Sequence, residues 1–204
     1  AERALSELRM LVERDPADIE LRALLMSALS QVHRNAIEGE IDSAIEELQA
    51  EADSLLARDG EIELDSKAGA PDPKAAASDP RAGAPDPRAA ERAASVQLGL
   101  RVDHLRMLLA THAYAGDRGE WLRAELLLTR ARNLVDLAGA PLVMLEIFGQ
   151  MLVNAHVDAG ETARGEAPEA VGERALALLI ELRELARRHP QSVELQRHLA
   201  TGLF

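Results

Sequence analysis

The chain has 204 residues, 23 basic and 35 acidic side chains for a net charge of -12, no cysteine and only four aromatics. Without cysteine there are no disulfides, thiolate metal sites, iron-sulfur clusters or cysteine nucleophiles. The acidic balance disfavours nucleic acid, whose phosphates call for a net basic surface. The apolar mass is mostly 37 Ala and 33 Leu, both strong helix formers, so an all-α protein is expected.

In chain order, Leu5, Leu8, Leu11 and Val12 recur at helical spacing and Pro16 stops the pattern. Asp18 can cap a second helix whose Ile19, Leu24, Leu25, Leu29 and Val32 leave few polar positions before Gly39. A third is expected from Ile41 to about Arg58, ended by Gly60. Residues 65 to 92 then repeat every seven: DSKAGAP, DPKAAAS, DPRAGAP, DPRAAER. Seven is the coiled-coil period, but the large a and d residues are missing and proline recurs, so an extended spacer is expected instead. Asp86 and Pro87 open a helix reaching Gly116, and a fifth is expected from about Arg118 to Ala138. Three more run from Pro141 to about Ala159, from about Glu169 to Arg188, and from Val193 to Phe204. The expected organisation is helices over 1–64, a low-complexity insertion over 65–86, and helices again over 87–204.

Residues 5–21, LSELRMLVERDPADIEL, match residues 179–195, LIELRELARRHPQSVEL, at more than half their positions. The offset is close to four units of 43 or 44, and Gly116 and Gly160 also stand 44 apart, so the chain reads as an array of helical hairpins. One hairpin cannot bury both its faces, so neighbours must stack.

The turns EGEIDSAIEEL at 38–48, AGDRGEWLRAELLL at 115–128 and AGE at 159–161 resemble the inter-helix turn of tetratricopeptide repeats. RDP at 14–16 and RHP at 188–190 resemble its inter-repeat turn. The period here is about 43 rather than 34, and the family's bulky first-helix aromatics are missing. The resemblance implies a right-handed α-solenoid of about eight stacked antiparallel helices with a concave groove. It places Ser30, His33, Asp103, Arg106, Met107, Gln150 and Asn154 along that groove, by distance from the turn glycines. His33, Arg106, Gln150 and Asn154 also interrupt strongly apolar helices, where a polar group needs solvent or a partner.

Six histidines invite a search for a metal, but no HExxH, ExxH or HxxxH spacing occurs, and Glu194 with His198 gives two ligands where a tetrahedral site needs four. No metal or other cofactor is expected. His33, His112 and His156 lie near corresponding turns, where packing or capping is their expected use. Glu46, Glu47, Glu51 and Asp53 read as a solvated helical face, and no phosphate loop follows a strand. No stretch has the length or composition of a membrane span, a signal peptide or a basic amphipathic helix. The expected protein is a soluble, non-enzymatic scaffold, cytoplasmic in setting, that holds a partner's peptide or helix in a preorganised groove, where Arg101, Arg106, Arg118 and Arg123 could meet acidic groups. A self-associating fragment of a longer array is the alternative. The last helix stops short of its match at Ile19 to Ser30, so Leu199, Leu203 and Phe204 would be covered by a further repeat or by a homodimer partner.

Overall fold

Helix formers dominate the composition, and the structure, a computed structural model that describes residues 2–68, 87–135, 139–161 and 168–203, is helical throughout that span. Eight helices follow in order: α1 (Glu2–Arg14), α2 (Ile19–Glu38), α3 (Asp42–Ala68), α4 (Pro87–Asp117), α5 (Trp121–Leu134), α6 (Leu142–Glu161), α7 (Pro168–Arg188) and α8 (Val193–Gly202). No strand occurs among the described residues. None of their helices is long and apolar enough to cross a membrane.

Two helices differ from expectation at their boundaries. Helix α3 runs through Gly60 and takes in Asp65 to Ala68, the start of the heptads. A single glycine in a helix is unfavourable by only about 1 kcal/mol, and the Glu-Ile-Glu-Leu that follows it propagates the helix. The rest of the expected spacer, 69–86, lies outside the described residues. Helix α5 starts at Trp121 rather than near Arg118, because residues 118–120 form the chain reversal, and it ends at Leu134 rather than near Ala138, with Val135 in an extended conformation (φ -96°, ψ 102°) as its C-cap.

That reversal is a Schellman turn. Glu120 N–H bonds Ala115 O at 2.8 Å and Gly119 N–H bonds Gly116 O at 2.9 Å. The α2–α3 turn repeats it, with Ile41 N–H on Ala36 O at 3.0 Å and Glu40 N–H on Ile37 O at 3.1 Å. The left-handed position is Gly119 in one (φ 73°) and Glu40 in the other (φ 52°). Gly39 and Gly116, which the sequence suggested as the turn residues, sit before that position.

The proline turns also match bond for bond. Asp15 N–H reaches Leu11 O at 3.1 Å and Asp18 N–H reaches Asp15 O at 3.2 Å; 174 residues later His189 N–H reaches Leu185 O at 3.2 Å and Ser192 N–H reaches His189 O at 3.0 Å. Each turn then caps a helix. Asp18 Oδ1 accepts from Glu20 N at 2.9 Å and Leu21 N at 3.1 Å, and Ser192 Oγ accepts from Leu195 N at 3.2 Å.

The chain divides into two compact units, Ala1–His33 with Glu46–His104, and Arg34–Ile45 with Leu105–Phe204. In the first, Leu5, Val12, Leu25, Met26, Leu29, Leu48, Ala52, Leu55 and Leu100 are buried. On its surface Arg9 of α1 pairs with Glu51 of α3, Nε to Oε1 at 2.8 Å and Nη2 to Oε2 at 2.5 Å.

The second unit centres on Phe148, Met151, Leu152, Leu145, Leu182 and Leu195, all essentially inaccessible. Contacts seven residues apart set the directions of its helices. Gly149 and His156 of α6 meet Leu182 and Ala175 of α7 respectively, so these two run antiparallel. Gly149 and His156 also meet Leu195 and Gly202 of α8, so α6 and α8 run parallel. Glu125 and Arg132 of α5 pair with Arg174 and Glu181 of α7, which makes α5 and α7 parallel.

A candidate binding cleft between α5 and α7

Parallel α5 and α7 leave a space that α6 does not fill. The resulting cleft, within the second unit, has a volume of about 590 Å³, inside the range of roughly 300–1,000 Å³ in which small ligands and anchoring side chains are held. One wall is the stripe Trp121, Ala124, Glu125, Leu128 and Arg132 of α5, at helical spacing; facing it are Arg174, Ala177, Leu178 and Glu181 of α7. Ala155, Asp158 and Ala159 of α6 and His112 of α4 complete the lining. Four alanines in these walls make the room, since each leaves out the volume a leucine would take.

Two ion pairs tie the walls together, two helical turns apart. Arg132 Nε and Nη2 donate to Glu181 Oε1 and Oε2 at 3.0 and 2.7 Å, and Arg174 Nε lies 3.5 Å from Glu125 Oε1. The bond to Glu181 raises the Arg132 pKa above its ordinary value. Both pairs are partly solvated, so each contributes at most about 1 kcal/mol to stability. Their larger effect is geometric, because they hold the spacing of the two walls.

His112 is the most enclosed polar group of the lining, 1% exposed. Burial lowers its pKa from 6.5 to about 4, so the imidazole is neutral at pH 7. Its Nδ1 is buried with no hydrogen-bond partner among the described residues. One turn along α4, Gly116 lies against the Asp158 carboxylate, which another residue's Cβ would meet at 2.5 Å.

The first unit holds a second polar cluster. His104 Nε2 donates to Asp53 Oδ1 at 2.9 Å, and Gln49 Nε2 stands 3.2 Å from the same ring nitrogen. His33 is enclosed nearby, its pKa lowered from 6.5 to about 4 by burial and by the neighbouring His104. Among the described residues no three His, Asp or Glu side chains gather to hold a metal ion.

The residues expected along a groove fall in both units: Ser30, His33 and Asp103 in the first, Arg106, Met107, Gln150 and Asn154 in the second. Gln150 and Asn154 are brought together, Nε2 donating to Oδ1 at 2.8 Å, and both are half-buried. His33 and Met107, each 1% exposed, are enclosed in the packing rather than set on open surface. Ser30 and Asp103 are half-buried and Arg106 is exposed. Of the other arginines expected to face a partner, Arg118 and Arg123 both bond Glu120, at 3.1 and 2.8 Å. His156 links two helices rather than capping one, its Nδ1 donating to Ala175 O in the interior of α7 at 2.9 Å.

The α5/α7 cleft was not evident in the sequence. A usable signal was Leu126-Leu127-Leu128, three consecutive leucines that no single helical face can bury. Leu127 and Leu128 are buried, while Leu126 is 66% exposed at the cleft. Comparison of the chain with protein families, with curated proteins and with solved structures finds no match to any of them.

Proposed function

We propose that the chain is a non-catalytic recognition module of the tetratricopeptide-like kind, in which stacked helical hairpins wind as a right-handed α-solenoid and hold a partner protein's peptide or helix. The α5/α7 cleft is the anchoring pocket of that module. Support for the repeat comes from the two capped proline turns 174 residues apart, close to four units of 43 or 44, which share the same bonds; the two Schellman turns share theirs but stand 79 residues apart, off that period. Alternation of direction from α5 through α6 to α7 is what stacked hairpins require.

The observation that carries the functional reading is the cleft itself: apolar, bounded by helices, open to solvent and cross-tied at two levels, so a partner meets a preorganised receptor. Selection from a random displayed-peptide library tests it. Enriched peptides are expected to bind the wild type and to lose at least tenfold with Ala177→Phe, which fills the cleft from an exposed position and leaves the circular dichroism spectrum unchanged. Equal binding by both proteins overturns the assignment.

Self-association is the second reading, favoured by Val193 and Leu203 of α8, 76% and 51% exposed. Light scattering on the eluting protein decides it: a dimer at micromolar concentration that Leu203→Glu dissociates supports this reading, and a monomer removes it.

A further inference from the structure

The hairpins α1–α2 and α7–α8 match in sequence at an offset of 174 residues, yet they bury different faces. In α7–α8 one face is covered by α6. Gly149 of α6 lies against Leu182, Leu195 and His198, and Phe148 shares a small hollow with Leu185; all four residues of the hairpin are buried. Their counterparts in α1–α2 are leucines throughout: Leu8, Leu21, Leu24 and Leu11. Leu8 and Leu21 are only half-buried, and Leu24 and Leu11 are 57% and 43% exposed. The second helices show the reverse on another face. Met26 and Leu29 of α2 are fully buried, whereas Ala200 and Leu203 at the equivalent positions after the second proline turn are exposed.

Resting on the self-association reading, we infer that these open faces meet between copies: α8 of one copy docks on the α1–α2 hairpin of a second, as α6 docks on α7–α8. Each face offers apolar side chains, Leu8, Leu11, Leu21 and Leu24 on one and Val193, Ala200 and Leu203 on the other, and removing them from water together drives the contact. The pattern of α8 suits the place that α6 holds. Counted from the first residue of each helix, Leu142, Gly149 and Leu152 of α6 correspond to Val193, Ala200 and the C-cap Leu203 of α8. These positions share one helical face. At the middle one Gly149 lets α6 approach Leu195 closely, and α8 has the small Ala200 there to meet the equivalent Leu21. A second copy is the occupant because its α8 brings to the leucine face the kind of helix that already covers the equivalent face of α7–α8. The contact is heterologous: each copy uses α8 once and α1–α2 once, so a bound copy still offers a face to the next. Pairing of α8 with α8 would instead leave Leu11 and Leu24 in water.

Complementation between two broken faces is the test, read by light scattering on the eluting full chain at a concentration where the wild type associates. Leu203→Glu spoils the α8 face and Leu24→Glu the α1–α2 face, both at exposed positions where the circular dichroism spectrum is expected to stay unchanged. Each variant alone is expected to associate at least tenfold more weakly than the wild type and to elute as a monomer. Mixed in equal amounts, they are expected to form a one-to-one heterodimer, because each supplies the face that the other has lost. Leu11→Glu is a second variant of the α1–α2 face and is expected to behave as Leu24→Glu does, should the latter fail to fold. Wild-type association by Leu24→Glu and Leu11→Glu, with Leu203→Glu monomeric, overturns the head-to-tail docking and leaves self-association through α8 standing. Two monomeric variants that do not combine also overturn the docking. A monomeric wild type overturns the docking and the self-association reading together.

Discussion

Gly149 of α6 and Leu195 of α8 approach so closely that a Cβ on the glycine would lie 2.7 Å from Leu195 Cδ2, with His198 Cδ2 at 3.4 Å. Leu195 is wholly buried, so its methyl can give way only by displacing packed neighbours. Gly149→Ala is therefore expected to destabilise the protein by about 1–3 kcal/mol through overpacking, although alanine is the better helix former. At Gly99 of α4 and Gly172 of α7 an added Cβ would meet nothing within 4 Å, and there the same substitution is expected to stabilise by about 0.5–1 kcal/mol. Urea unfolding of the three single variants checks both signs; stabilisation by Gly149→Ala would show that the crossing is looser than described.

The shared turn geometry yields a prediction at Glu40. This residue holds a φ of 52°, in the left-handed region where its counterpart is Gly119. A side chain there is disfavoured by about 1 kcal/mol relative to glycine. Its pairing with Arg118 at 3.8 Å is highly exposed and offsets little of that. Glu40→Gly is expected to stabilise by roughly 0.5–1 kcal/mol, raising the melting temperature by about 2–3 °C. Gly119→Ala is expected to do the reverse. Thermal melts of both variants test the pair, and a lower melting temperature for Glu40→Gly would count against the turn.

All eight helices were legible because alanine and leucine recur at helical spacing and Pro16 and Pro190 interrupt the pattern. Glycine marks the turns only to within a few residues. Gly39 lies just short of the left-handed position and Gly116 is needed for the approach of Asp158, while Glu40 gives no compositional hint that it occupies the left-handed position. The cleft was hidden for a different reason. Its lining runs from His112 to Glu181, across four helices, and the alanines that create the space look like ordinary helix formers. Which alanines face each other depends on how the helices pack, and periodicity within one helix does not show that.

Asp18 and Ser192 perform the same task at equivalent turns, so removing either cap is expected to have a similar effect. Asp18→Ala loses two acceptor contacts at the start of α2 and is expected to destabilise by about 1 kcal/mol, whereas Asp18→Ser largely retains stability. Ser192→Ala is expected to exceed that, because Ser192 is buried and its Oγ also donates to Glu146 Oε1 at 2.7 Å. Chemical denaturation of the three variants measures the order; a neutral Asp18→Ala would mean that solvent replaces the cap at no loss.

Acid is expected to weaken the fold well above the carboxylate range. His33 and His112 both have folded pKa values lowered from 6.5 to about 4, chiefly by burial. Between those values the unfolded chain binds protons at both rings and the folded chain does not, so stability is full above about pH 6.5 and falls as the pH drops toward 4. Each histidine accounts for about 2 kcal/mol of loss at pH 5, and below pH 4 their contribution levels off. The lowered pKa of His198, again chiefly from burial, adds in the same direction. Denaturation midpoints at pH 7.5, 6.0 and 5.0 should decline steadily for the wild type and less steeply for His33→Gln, which keeps a polar group but cannot protonate. Midpoints that stay flat to pH 5 would mean that the two rings are more accessible to protons than their enclosure implies.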